Sequence, residues 1–193
     1  MKIYAILISM LLASGAVAQK ASDRLGQPGT VTFDDVVYEL ATVEQPSKGY
    51  LVQQYLPTGD TLERYHTLLE LHVFDTDLTA AQASKKKLEE LMEYKKSDAL
   101  CNYQELKSPD GKEFVVDFVK STSEGGRIAT VDLNVYRYVR MPVGSGREGL
   151  LVVAYSERAY NLGVADLLDN MKTKREHLLR TVTTMPLPPI QVR

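Results

Sequence analysis

The stretch EFVVDFVKSTSEGGRIATVDLNVYRYVRMPVGSGREGLLVVAYSERAY, residues 113–160, decides the fold. Three runs rich in Val, Leu, Phe and Tyr are separated by Glu124-Gly125-Gly126 and Gly144-Ser145-Gly146. Glycine-bearing turns between β-prone runs predict an antiparallel meander. A turn centred on Gly125 sets Glu113 opposite Arg137, Val115 opposite Val135, Asp117 opposite Leu133 and Val119 opposite Val131. A second turn, centred on Ser145, sets Asp132 opposite Arg158 and Val135 opposite Tyr155. Both faces of the middle run carry apolar residues, so the sheet requires cover on both sides.

Upstream, alternation and turn residues predict strands at Val36–Val43, Tyr50–Tyr55 and Thr67–Phe74, with a fourth at Leu100–Leu106 before the Ser108-Pro109-Asp110-Gly111 turn. Two helices are expected. One runs over Thr79–Lys96 behind the caps of Asp75-Thr76-Asp77, with a stripe of Ala81, Ser84, Leu88, Leu91, Met92 and Lys95. The other runs over Val164–Val182, with Leu167, Leu168, Met171, Leu178, Leu179 and Val182 inward. The predicted class is α+β. The architecture is one α/β/α sandwich domain with a mostly antiparallel sheet of about six or seven strands between two main helices.

The ends read differently. Residues 1–18, MKIYAILISMLLASGAVA, have a Lys2 start, a short apolar run and an Ala16-Val17-Ala18 cleavage signature, which is the pattern of a cleaved secretory signal. Residues 19–35 are polar, carry Gly26, Pro28 and Gly29, and read as a flexible leader. The domain is expected over residues 36–184, and the Pro-rich tail over 185–193 in extended form. The expected location is the periplasm or exterior of a Gram-negative bacterium, with no membrane span after cleavage.

Composition narrows the function. Hydrophobic residues are 44% and charged residues 25% of the chain, as in soluble globular proteins. The formal net charge is -2, and loss of Lys2 makes it one unit more acidic. A nucleic-acid binder needs a basic footprint, so none is expected. The run Lys85-Lys86-Lys87 has Glu89, Glu90 and Glu93 one helical turn away and reads as a solvated, ion-paired face. Cys101 is the single cysteine, which excludes an internal disulfide and reads as a buried, inert thiol.

No catalytic or cofactor signature emerges. The chain lacks GxSxG, GxGxxG, the phosphate-loop pattern and zinc-ligand spacing, so the expectation is a protein without cofactor or catalytic set. The candidate ligand-binding residues are polar groups on the sheet. Glu70 and His72 share a strand face ~7 Å apart. Arg137 and Arg158 bring guanidinium groups that cross-strand carboxylates can also pair. The four therefore read either as ion-pair partners or as the lining of a polar pocket for a small ligand or metal.

Segment 49–74, GYLVQQYLPTGDTLERYHTLLELHVF, with Asn134-Val135-Tyr136-Arg137-Tyr138 and Tyr155-Ser156-Glu157-Arg158-Ala159-Tyr160, resembles bacterial exported proteins of the PsbP-like (Mog-type) α/β/α sandwich family. The resemblance spans residues 36–182, with Tyr65 where Trp is expected. It implies a binding or assembly module, such as those acting on photosystem II or a small GTPase, and carries over no catalytic residues. Neither of those partners suits an exported chain without thylakoid features. The expected function is a non-catalytic module acting on a protein or other envelope or extracellular partner. The alternative is a small-ligand or metal carrier.

Overall fold

The computed structural model describes residues 21–144 and 146–192, so the expected signal at 1–18 lies outside the described residues. Eight strands and three helices follow in order: β1 (Thr30–Phe33), β2 (Val36–Ser47), β3 (Tyr50–Pro57), β4 (Thr67–Phe74), α1 (Ala80–Tyr94), β5 (Asn102–Lys107), β6 (Glu113–Glu124), β7 (Arg127–Gly144), β8 (Arg147–Tyr160), α2 (Gly163–Asp169) and α3 (Met171–Thr184). The strands form one sheet in the order β1-β2-β3-β4-β8-β7-β6-β5, and every neighbouring pair is antiparallel. The α+β class and the antiparallel sheet hold, and the sheet has eight strands rather than six or seven.

The eighth strand lies inside the expected leader. Thr30-Val31-Thr32-Phe33 pairs with β2 through a two-residue turn, Asp34-Asp35, whose φ values are 50 and 60. Asp tolerates this left-handed backbone, which suits a tight hairpin. Ahead of it Leu25 is fully buried. The side chain of Gln53, also fully buried, accepts the backbone N–H of Arg24 at 2.7 Å and of Leu25 at 3.2 Å. Gln27 donates to the Pro189 carbonyl at 2.5 Å, and the Gln191 N–H donates to the Leu25 carbonyl at 2.9 Å. The leader and the tail are thus tied to each other and to the core, with Ile190 only 4% exposed. The folded unit exceeds residues 36–184 at both ends.

Helix α1 starts on a capping box. The Thr79 hydroxyl accepts the Gln82 N–H at 3.1 Å, and the Gln82 side chain accepts the Thr79 N–H at 2.9 Å. Its buried positions are Ala80, Ala83, Ser84 and Leu91. Ala81 and Met92, expected inward, face solvent. The second expected helix is two helices. Asn170 breaks the run, and its side-chain amide donates to the Asp166 carbonyl at 3.0 Å.

The helices lie on opposite faces. Leu91 of α1 packs with Val116, Phe118, Tyr138, Leu150 and Val152. Leu167 of α2 and Leu178 and Val182 of α3 pack with Leu69, Leu71, Leu133, Val135 and Val153, and Leu25, Phe33 and Ile190 complete that larger core. Each such apolar side chain contributes ~1.5–3 kcal/mol by leaving water.

The meander's second register stands as read, with Asp132 opposite Arg158 and Val135 opposite Tyr155. The first is displaced by two residues: Val115 faces Arg137, Asp117 faces Val135 and Val119 faces Leu133. Two local features account for this. The turn centres between Gly125 and Gly126, both at positive φ, and a bulge at Ala129 adds one residue to β7. An even displacement leaves every side chain on its expected face.

Candidate functional site

Helix α1 rests on β5, β6 and β7 and leaves the β3–β4 part of that face without a helix. The step between helix and strands is a groove of about 410 Å³. Its floor is Tyr50, His72, Phe74, Tyr136, Tyr138, Leu150 and Val152, and its wall is Leu78, Ala83, Lys86, Lys87 and Glu90. Alternation explains the floor. Tyr50 on β3 pairs with Phe74 on β4, and the next same-face pair is Val52 with His72. The rings of Tyr50 and Phe74 stack at 4.3 Å with 11° between planes. Across the sheet, β8 inserted between β4 and β7 supplies Leu150 and Val152 and brings Tyr138 beside them.

The wall is charged. Lys87 donates to Glu90 at 2.6 Å, and its ammonium lies 5.4 Å from the Tyr136 ring centre. Of the lysine run, the ion-paired reading holds, among the described residues, for Lys87 alone. Lys86 has no acidic partner among the described residues. Arg140 donates to the carbonyls of Thr76 and, at 3.2 Å, Leu78, which ties the β4–α1 link to β7 at one end of the groove. Burial pushes the phenols of Tyr136 and Tyr138 well above their usual range, and nearby carboxylates, Glu70 for Tyr136 and Glu90 for Tyr138, push the same way. Both stay protonated as O–H donors.

The four residues singled out from sequence do not converge. His72 lies in the groove floor. Its Nδ1 is 2.8 Å from the Tyr50 hydroxyl, and its buried Nε2 has no hydrogen-bond partner but lies 3.7 Å from the Glu70 carboxylate. Glu70 sits beside the groove, 8% exposed, and accepts the Gln54 amide at 2.6 Å. Arg137 is on the opposite face of the sheet. Its Nε donates to Glu113 at 2.7 Å, and one terminal nitrogen donates to the carbonyls of Val182 at 3.0 Å and Met185 at 2.8 Å. Those are end carbonyls of α3, so Arg137 closes that helix. Asp117 does not join Arg137; it is fully buried and takes Arg175 of α3 at 2.7 Å together with the Gln104 amide. Arg158 grips Asp132 through Nε at 2.5 Å and a terminal nitrogen at 3.0 Å, with its guanidinium 4.4 Å from the Tyr65 ring centre.

The other titratable groups are engaged locally. His66 pairs with Asp60 at 3.0 Å and His177 with Asp34 at 2.8 Å. Cys101 is buried, and burial raises its thiol pKa, which makes it a poor nucleophile. No three His, Cys, Asp or Glu side chains gather as a metal site among the described residues. Among the same residues no helix is long and apolar enough to cross a membrane.

Glu70 makes acid stability a direct test of its contacts. Burial raises its pKa, but His72 and the Gln54 amide outweigh that and hold it below the usual carboxylate range. The folded chain therefore binds this proton less readily than the unfolded chain. The resulting stabilisation is present above the unfolded value of about 4.3 and is lost as pH falls through the folded one. Urea unfolding of Glu70→Gln between pH 6 and pH 3 is expected to show a flatter acid decline than the unsubstituted chain. Parallel declines would mean that Glu70 gains nothing from these neighbours.

The fold and its groove define an α+β protein with one antiparallel sheet, helices on both faces and an aromatic cleft beside α1. A protein-family model matches residues 25–187, and the chain belongs to that family. The matched span begins at Leu25 and takes in the leader strand that packs with the domain. No curated protein and no solved structure matches the chain.

Proposed function

We propose that the chain is an exported, non-catalytic binding module of the bacterial envelope, of the PsbP-like α/β/α type, that engages its partner through the groove beside α1. One observation carries this reading. The guanidinium groups that could have made a polar pocket are spent on Glu113, Asp132 and helix carbonyls, whereas the groove presents an aromatic floor with no side chain filling it. Concave, mainly apolar surfaces with a few polar groups are where proteins take ligands. The signal pattern at 1–18 supports export, and the resemblance of residues 49–74 to PsbP-like proteins supports a binding or assembly role. A polar carrier pocket built from Glu70, His72, Arg137 and Arg158 finds no support, since Arg137 lies across the sheet from His72.

A photo-crosslinking residue tests the assignment. Placed at Lys86 on the groove wall, it is expected to give a mass adduct on irradiation with an envelope fraction, read as intact mass. Placed at Arg180, exposed on α3 across the sheet, it is expected to give none. Equal adducts at both positions, or none at Lys86, would reject the groove as the binding surface.

A further inference from the structure

Resting on the groove as the binding surface, we infer that its occupant is a single free amphiphile with an apolar chain and a carboxylate head. The floor sets the body. Tyr50, Phe74, Leu150 and Val152 offer carbon, and about 410 Å³ falls within the ~300–1,000 Å³ of small-ligand clefts. That space holds one chain lying across β3, β4, β8 and β7, and a recess of this shape does not fit a bilayer surface.

The polar groups set the head. Among the described residues neither the Tyr136 nor the Tyr138 hydroxyl has an acceptor, although both side chains line the groove. Tyr138 is 4% exposed, and its unpaired hydroxyl is not sealed in the core but opens on the groove. Two phenol donors in an apolar cleft call for an acceptor oxygen from the ligand. Charge gives the sign. Of the three ionised groups on the wall, Lys87 and Glu90 neutralise each other, and Lys86 remains as an unpaired cation. Glu70 beside the floor and Arg140 at one end offset each other, so Lys86 leaves the groove net positive, with O–H donors beside it, which suits a monoanion whose charge is carried on oxygen. His72 contributes its ring surface only, because its Nδ1 is engaged by Tyr50 and its Nε2 faces Glu70.

Calorimetric titration of residues 21–193 with decanoate, decanol and decyltrimethylammonium, all below their aggregation limits, tests the inference. Decanoate is expected to bind at least ~10-fold more tightly than decanol, as a charge-assisted hydrogen bond would give, and decyltrimethylammonium weakest. Tyr136→Phe with Tyr138→Phe, and separately Lys86→Glu, are expected to remove that preference. None of these substitutions disturbs the sheet pairing, and an unchanged unfolding midpoint verifies that they fold. Equal binding of decanoate and decanol would overturn the carboxylate assignment, as would preference for the cation. Stronger association with phosphatidylglycerol vesicles than with free decanoate would overturn the single-molecule assignment. If none of the three amphiphiles binds while the crosslinker at Lys86 still yields its adduct, the carboxylate inference falls and the groove remains the binding surface; absence of that adduct rejects the groove itself.

Discussion

A chain beginning at Val36 is expected to lose most of the folding stability of one beginning at Ala21. The removed segment carries Leu25, fully buried, and Phe33, 3% exposed, whose ring centre lies 4.8 Å from that of Tyr155. It also carries β1, which covers the edge of β2. Removal leaves Gln53, deep in the core, without the two backbone N–H groups its side-chain oxygen accepts. Emptying a buried Leu or Phe site costs ~2–5 kcal/mol each, and a buried polar atom left unpaired ~1–3 kcal/mol. The combined loss, roughly 5–13 kcal/mol, rivals the ~5–15 kcal/mol that a domain possesses. In urea, with a slope of roughly 2 kcal/mol/M, the midpoint should fall by ~2.5 M or more, or the cooperative transition should vanish. Leu25→Ala in the longer chain should by itself cost ~2–4 kcal/mol. Matching midpoints for the two chains would show that residues 21–35 are a leader after all.

The same segment shows what a sequence conceals. Leu25 is a lone apolar residue among polar ones, with no periodicity to mark it as core. Its burial depends on Gln53, 28 residues further on, and on Ile190 near the other end. Local pattern carries no record of such partners. Where local pattern suffices, the reading was close. Thr67–Phe74 matches β4 residue for residue, α1 falls within the expected Thr79–Lys96 although its cap is Thr79 rather than Asp75-Thr76-Asp77, and the alternation of Tyr136, Arg137 and Tyr138 assigns each to its proper face. The first meander register missed by two because the turn centres between Gly125 and Gly126 and because a bulge at Ala129, which adds one residue more, has no signature in Arg127-Ile128-Ala129-Thr130. The groove was hidden for a topological reason. Phe74 and Tyr138 belong to strands far apart in the chain, and only the insertion of β8 between β4 and β7 makes one floor of them. Tyrosine on a strand reads as ordinary core until the extent of helical cover is known.

Arg137 separates a structural role from a ligand role most sharply. Its guanidinium is almost entirely enclosed, with its side chain 8% exposed against 29% for Glu113. It holds the Glu113 carboxylate and the carbonyls of Val182 and Met185 together. Arg137→Met keeps the buried stem and deletes the donors. Glu113 can recover water at the surface, but the Val182 carbonyl, reached at a buried contact, cannot do so equally. Breaking an enclosed pair by removing one partner costs ~3–5 kcal/mol, and this variant is expected near the lower end because Glu113 is partly solvated. Arg137→Lys keeps a charge but not the fork that reaches Glu113 and the helix end at once, so an intermediate loss is expected. In the Glu113→Gln background the cost of Arg137→Met should shrink, since the uncompensated carboxylate is gone while the carbonyls still lack a donor. Because Arg137 lies across the sheet from the groove, binding measured at temperatures where the variant remains folded should match that of the unsubstituted chain. A variant of unchanged stability that had lost binding would instead mark Arg137 as a ligand-contacting residue and move the site to the α3 face.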